Sequence, residues 1–278
     1  MTLAIVGLGA IGGSFAMSLM KNSSEHIIGI DIDERTIEYA RKEQIIHEGT
    51  TRAEDVLGQA DIIMLTLYPS QVAPYIEKYK SYFKKGVVFT DVTGIKTSII
   101  KDVTPVLPDQ SDFVFAHPMR GSEKKGISGA SIDKFGGANA LITPIPSNRT
   151  ENIEKVEDLY QKAGFTTITR VTPEKHDEQI AYVSQLMHAL SVSVVNSEQA
   201  SDDTLLFAGN SFKELTRIAD INVDLWSELF LHNKDALLET IQSFENELDE
   251  FKSALKESDE DKLKAFLSRA RNQRREWF

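Results

Sequence analysis

Leu3-Ala4-Ile5-Val6-Gly7-Leu8-Gly9-Ala10-Ile11-Gly12-Gly13 is the stretch on which the reading of the fold turns. Four apolar residues form a short strand, three glycines follow in the spacing G-x-G-x-x-G, and a helical stretch opens at residues 14–20. Strand, turn and helix in that order raise the glycine spacing above a chance match. Gly7 is expected to make the tight turn, Gly9 to let the backbone approach a pyrophosphate, and Gly12 to let helix and strand pack closely. Leu8, Ala10 and Ile11 supply the backbone between them, and the helix N-terminus offers N–H groups and a positive dipole end to phosphate. Asp31 ends the next strand candidate, the expected roughly 20 residues further on. A carboxylate there accepts hydrogen bonds from both ribose hydroxyls and repels a 2′-phosphate, which selects NAD over NADP. Arg35, one helical turn on, is the feature that leaves room for NADP. The bland alternative is a glycine turn with no ligand. FAD shares the fingerprint, but no further FAD-contacting segment is recognisable.

Strand-like runs recur at residues 27–31, 61–67, 87–91, 113–117, 138–143 and 166–171, with helical stretches such as 33–42, 70–83 and 150–163 between them. Most runs are continuously apolar, as expected when helices cover both faces of a parallel sheet. The alternation predicts an α/β domain of the Rossmann-type, doubly wound kind over residues 1–171. Past Pro173 the strand-like runs stop, and residues 172–278 read as an all-helical domain. Ile180, Val183, Leu186 and Leu190 fall at helical spacing, as do Leu215, Ile218 and Ala219. Residues 224–255 contain no proline or glycine and read as one long helix or two shorter ones.

The formal charge of -11, from 31 basic and 42 acidic side chains, repels phosphate backbones and anionic lipids. Nucleic acid and membrane are therefore not expected partners, and an anionic substrate must be drawn in by a local basic site. With no cysteine, disulfides, thiolate zinc sites and a cysteine nucleophile are excluded. No metal site is expected. No apolar run approaches the roughly 18 residues of a membrane span, and the start lacks a basic leader, so a cytoplasmic protein is expected.

His117 closes an apolar strand in Phe115-Ala116-His117-Pro118-Met119-Arg120-Gly121, at an edge where ligands bind in doubly wound folds. It reads either as a base beside a nicotinamide or as a structural cap. Thr66 and Leu67, after another strand, line the nicotinamide-ribose side or form an ordinary turn. Ala181, Ser184, Gln185 and His188 share one helical face, a small and polar stripe that suggests a wet cleft. His176-Asp177 reads most simply as a pair in the first turn of a helix. Around residues 209–219, Phe212, Leu215, Ile218 and Ala219 are expected to be buried, leaving Lys213 and Arg217 on another face. Two such cations either hold a dicarboxylate, which the Arg fork suits best, or form a solvated basic edge.

Taken together these residues resemble the prephenate/arogenate dehydrogenase family of tyrosine biosynthesis over essentially the whole chain. The matching pieces are the glycine fingerprint at residues 7–13, Thr90-Asp91-Val92-Thr93-Gly94-Ile95-Lys96, and His117-Pro118-Met119-x-Gly121. They continue with His176-Asp177-x-x-x-Ala181-x-x-Ser184-x-x-x-His188 and Phe212-x-x-x-Thr216-Arg217-Ile218-Ala219, followed by Leu225-Trp226. The resemblance implies an NAD-dependent oxidative decarboxylation of prephenate or arogenate, with His117 as the catalytic histidine beside the substrate's ring hydroxyl. It implies that His188 and Arg217 bind substrate, with His176 in support, and that the helical domain forms a homodimer. Three positions depart from the family pattern. Gly94 stands where a serine is usual, which leaves Thr93 as the neighbouring hydroxyl; Gln185-Leu186-Met187-His188 replaces His-Leu-Pro-His; and Arg120 replaces a small residue. No mutase or regulatory domain is expected. The rival readings are a dehydrogenase of the 3-hydroxyacid or pyrroline-carboxylate type and a catalytically silent NAD-binding regulator.

Overall fold

The computed structural model describes residues 1–121, 125–197 and 206–278. Its first part alternates β1 (Thr2–Val6), α1 (Ala10–Asn22), β2 (His26–Ile30), α2 (Glu34–Lys42), β3 (Glu48–Thr50), β4 (Ile62–Leu65), α3 (Pro69–Tyr79), β5 (Val88–Asp91), α4 (Thr97–Val103) and β6 (Asp112–Pro118). β7 (Asn139–Thr143), α5 (Thr150–Lys162) and β8 (Thr167–Arg170) complete one sheet of order β3-β2-β1-β4-β5-β6-β7-β8. Because β1 lies between β2 and β4, the winding reverses there, and a crevice opens at the carboxyl ends of those strands.

The apolar runs bury both faces. Along β1, Leu3 and Ile5 enter one core cluster while Ala4 and Val6 enter the other. On the first side Phe15, Phe135, Tyr160 and Phe165 meet with ring centroids 4.4–5.9 Å apart. Two details differ from expectation. β3 is a strand of only Glu48, Gly49 and Thr50, paired in parallel with β2, and it carries no apolar residue by which it could be read. β7 runs antiparallel to β6. Parallel neighbours need a crossover, usually a helix, whereas the connection from β6 to β7 holds among its described residues only a single short helical turn at Ile127–Gly129.

The second part contains α6 (Pro173–Ile180), a π-helical turn at Ala181–Gln185, α7 (Leu186–Asn196), α8 (Asn210–Arg217), α9 (Val223–His232), α10 (Lys234–Lys256) and α11 (Glu260–Trp277). The run 224–255 is therefore two helices, broken at Asn233 with φ -121° and ψ 26°. The π turn changes the phase of the expected polar stripe: Ala181 and Gln185 are buried, and Ser184 and His188 half-buried. α8 also departs from expectation. Phe212 and Leu215 are 41% and 52% exposed, because nothing in this chain covers that face among the described residues. No described helix is long and apolar enough to cross a membrane.

α9 and the residue before it are tied by polar bonds to the first turns of α3 and α4, at the carboxyl edge of the sheet. Asn222 Nδ2 donates to the Tyr68 hydroxyl at 2.9 Å, and Glu228 accepts from Ser70 N and Oγ at 3.0 and 2.8 Å. Ser98 Oγ and His232 Nδ1 are 2.7 Å apart.

Candidate active site

The glycine loop is held too tightly for side chains at two of its positions. Gly7 has φ +90°, and a Cβ at Gly12 would lie 2.0 Å from the Gly7 carbonyl oxygen and 2.5 Å from Thr66 Oγ1. The Thr66 hydroxyl itself reaches the carbonyls of Val6 and Gly7, so this residue brackets the loop from β4. At Gly9, by contrast, a Cβ would meet no protein atom within 4 Å; it would project into the space before the uncapped N-terminus of α1. Asp31 Oδ2 accepts from Leu8 N at 2.7 Å and Oδ1 from Asp33 N at 3.0 Å. The carboxylate thus fixes the loop while its remaining lone pairs stay available to ribose hydroxyls. Arg35 pairs with Asp33, Nε to Oδ1 at 3.2 Å and Nη2 to Oδ2 at 3.3 Å, which occupies the cation that favoured NADP. Ile32, 99% exposed beside Asp31, is an apolar surface that sequence reasoning passed over. These residues fit NAD.

At the carboxyl end of β6, His117 Nδ1 lies 2.9 Å from His176 Nε2, and His176 Nδ1 lies 2.8 Å from Asp177 Oδ1. The carboxylate dictates the protons along this row. Asp177 can only accept, so His176 Nδ1 carries the hydrogen and its Nε2 is an acceptor for His117 Nδ1–H. His117 is left with a bare Nε2 lone pair, on the side of Gly94. Burial, then the neighbouring His176 and Lys96, hold the His117 pKa well below its ordinary 6.5, so the ring is neutral at neutral pH. Burial also lowers His176, against the opposing pull of its bond to Asp177. Burial would raise Asp177, but hydrogen bonds from His176 and Thr97 win and keep its carboxyl below the usual range.

Asp177 reaches across from the helical domain to cap α4, accepting from Lys96 N at 2.8 Å and Thr97 N at 2.7 Å. Behind it lies a fully buried ion pair, Lys96 Nζ to Asp91 Oδ2 at 2.7 Å. The other Asp91 oxygen accepts from Ala116 N at 2.9 Å, next to His117. Thr93 is buried and its hydroxyl is bonded to Asp91 Oδ2, so it faces the ion pair rather than the cleft.

The remaining candidates lie on α7 and α8. His188 Nδ1 bonds the Ser184 carbonyl at 2.9 Å, and its ring stacks on Trp226 at 3.6 Å between centroids. Ser191, on the same helix as His188, donates to the Leu215 carbonyl at 2.9 Å, which ties α7 to α8 and its exposed Lys213 and Arg217. The structure therefore brings His117, His176 and Asp177 into direct contact and joins His188 to α9. Lys213 and Arg217 lie exposed on α8. Sequence reasoning missed Asn233 and Leu229, and it quoted Lys96 and Asp177 within matching motifs without giving either a role.

A neutral imidazole at a strand end and a glycine cradle shaped for a dinucleotide are what a hydride-transferring dehydrogenase requires, and fold and site fit that class. Residues 15–169 match the family model of the prephenate dehydrogenase nucleotide-binding domain, and residues 172–269 match that of the prephenate dehydrogenase dimerization domain. The chain belongs to the prephenate dehydrogenase family. Prephenate dehydrogenase of Bacillus subtilis (strain 168) is 28% identical over 279 residues, covering 98% of this chain and 75% of that protein. The crystal structure of prephenate dehydrogenase from A. aeolicus in complex with hydroxyphenyl propionate and NAD+ has a TM-score of 0.90 at 28% identity, covering 100% of this chain and 98% of that one. Synechocystis arogenate dehydrogenase has a TM-score of 0.84 at 25% identity, with 100% of both chains covered.

Proposed function

We propose that this chain catalyses the NAD-dependent oxidative decarboxylation of prephenate or its amino counterpart arogenate, with His117 as the proton acceptor. The observation that supports the assignment of His117 is the row Asp177–His176–His117, which with both rings neutral leaves Nε2 bare at the carboxyl end of β6. NAD+, held by Gly7, Gly9, Gly12 and Asp31, supplies the hydride acceptor. His117 Nε2 takes the proton of the ring hydroxyl as the hydride departs from the same carbon. The positive charge then on His117 is stabilised through His176 by the Asp177 carboxylate. Loss of the ring carboxylate as CO2 aromatises the ring and makes the step irreversible.

Arg217, with Lys213 and His188, is the proposed grip on the side-chain carboxylate. Clamping the departing carboxylate instead would stabilise the ground state. The domain that carries them bears exposed Leu206, Phe207, Leu215, Leu231, Leu238 and Leu267, an apolar surface suited to a second copy of this chain. A homodimer built on that surface would cover the outer face of α8 and fix the arginine.

The test is a steady-state comparison of prephenate and arogenate with NAD+ and NADP+, on the wild type and on His117→Asn. NADH formation from at least one of the two is expected, with NADP+ the poorer cofactor. In the variant kcat should fall by about 10² or more with NAD+ binding unchanged. Near-normal turnover in His117→Asn would remove this residue from the mechanism.

A further inference from the structure

Leu229 is the one buried residue of α9, at 7% exposure, and its methyl carbons lie beside Gly94. A Cβ at Gly94 would stand 3.3 and 3.6 Å from the two Leu229 methyl carbons and 3.7 Å from His117 Nε2. An aliphatic side chain from the helical domain, the bare α-carbon of Gly94 and the lone-pair nitrogen of His117 therefore meet at one point. The backbone of Leu229 is equally constrained. Its carbonyl accepts from Gln185 Nε2 at 2.9 Å, and Gln185 Oε1 accepts from Asn233 Nδ2, also at 2.9 Å. The second proton of that Asn233 amide goes to the Asp177 carbonyl at 2.9 Å. Asp177 leads through His176 back to His117, so the contacts close a circuit around the proton acceptor. The π turn that carries Gln185 and the helix break that carries Asn233 both serve this circuit.

We propose that Leu229 is a positioning residue for the reaction: seated on Gly94 and held by Gln185 and Asn233, it walls the Nε2 side of His117 against water and sets the depth at which the substrate ring meets that nitrogen. The inference rests on the reading of His117 as proton acceptor. The charged and titratable groups facing His117 are His176 and Asp177 from α6, and Lys96 and Asp91 from β5 and the loop after it. All four are buried and mutually bonded, so Leu229 is the element whose loss admits solvent. Water at Nε2 would favour the imidazolium and return His117 toward its ordinary 6.5.

The experiment compares the full chain with Leu229→Ala, Leu229→Met, Gly94→Ala and the Gly94→Ala/Leu229→Ala double variant, in kinetics with prephenate or arogenate (whichever the wild type turns over) across pH and in thermal melts. Leu229→Ala is expected to raise the substrate KM and lower kcat/KM by about tenfold, leave the NAD+ KM unchanged, and move the acid limb of kcat/KM to higher pH. Leu229→Met, of similar volume, should keep the wild-type limb. Gly94→Ala places a methyl against Leu229 and should lower kcat, and shortening Leu229 in the double variant should recover part of that loss. A Leu229→Ala chain that melts earlier yet keeps its acid limb and substrate KM would overturn the proposal, as would losses that simply multiply in the double variant. If Leu229→Ala does not fold, Leu229→Val gives the same two readouts with a smaller truncation. Full turnover in His117→Asn would instead strike the underlying assignment, whatever the Leu229 series does.

Discussion

Replacing Asp177 by Asn removes one charge and turns one acceptor into a donor at a position where three donors converge. Lys96 N, Thr97 N and His176 Nδ1 lie 2.8, 2.7 and 2.8 Å from the carboxylate. An amide oxygen can keep two of them as weaker, uncharged bonds, while its NH2 faces the third donor head on. At about 1.5–3 kcal/mol for a charge-assisted bond, one lost and two weakened, the fold should lose about 2–4 kcal/mol. That corresponds to a fall in Tm of roughly 5–10 °C. The catalytic effect is the sharper readout. If the NH2 turns to His176, it donates to Nδ1, the hydrogen moves to His176 Nε2, and His117 must carry its own on the nitrogen meant to accept. If the oxygen turns to His176 the tautomer survives, but no anion remains to balance an imidazolium on His117. Either way kcat should drop by about 10²–10⁴ with little change in the KM for NAD+. The assay is NADH absorbance at saturating substrate, with a thermal melt alongside. Wild-type kcat in Asp177→Asn, or a loss confined to the KM for NAD+, would refute the row of tautomers.

Other expectations are simpler. Gly12→Ala puts a methyl 2.0 Å from a backbone carbonyl that cannot retreat, so NAD+ binding measured by calorimetry should vanish or the chain should melt much earlier. Asp31→Ala removes both the ribose acceptor and the partner of Leu8 N. It should raise the KM for NAD+ by about tenfold or more while narrowing the preference over NADP+, and an unchanged KM would show that the carboxylate serves the loop alone. Acidification should destabilise the protein in a window set by His117. Below about 6.5 the unfolded chain binds a proton that the buried ring refuses, so stability is complete above that pH and declines as pH falls toward the lower folded value. His117→Asn should flatten that part of a Tm-versus-pH curve.

Residues 3–13 carried the decisive part of the fold, because a strand, a glycine turn and a helix are local events with local signals. β7 was legible as a strand but not in its direction, since apolar runs do not encode which way a neighbour points. The break at Asn233 had no proline or glycine to announce it; the residue stops a helix because its amide is needed at Asp177 and Gln185. The site shows the same division. His117 could be singled out from its place at the end of a strand, and Asp31 from its distance to the glycines. The meeting of His117 with His176, 59 residues further on, is a tertiary fact. The inward turn of Thr93 is local, made with Asp91 and Lys96, but the burial of that ion pair was not visible in so short a polar run.

The capping of α3 by Glu228 has an energetic implication. The ties between α9 and the nucleotide domain through Ser70, Tyr68 and Ser98 are exposed or only partly buried, so each broken bond is promptly remade with solvent. At about 0.5–1.5 kcal/mol apiece, these four bonds add on the order of 2–6 kcal/mol to the buried contacts that already seat the helix. The carboxylate at position 228 is therefore a place where a single exposed substitution can tune how firmly this helix sits on the nucleotide-binding part.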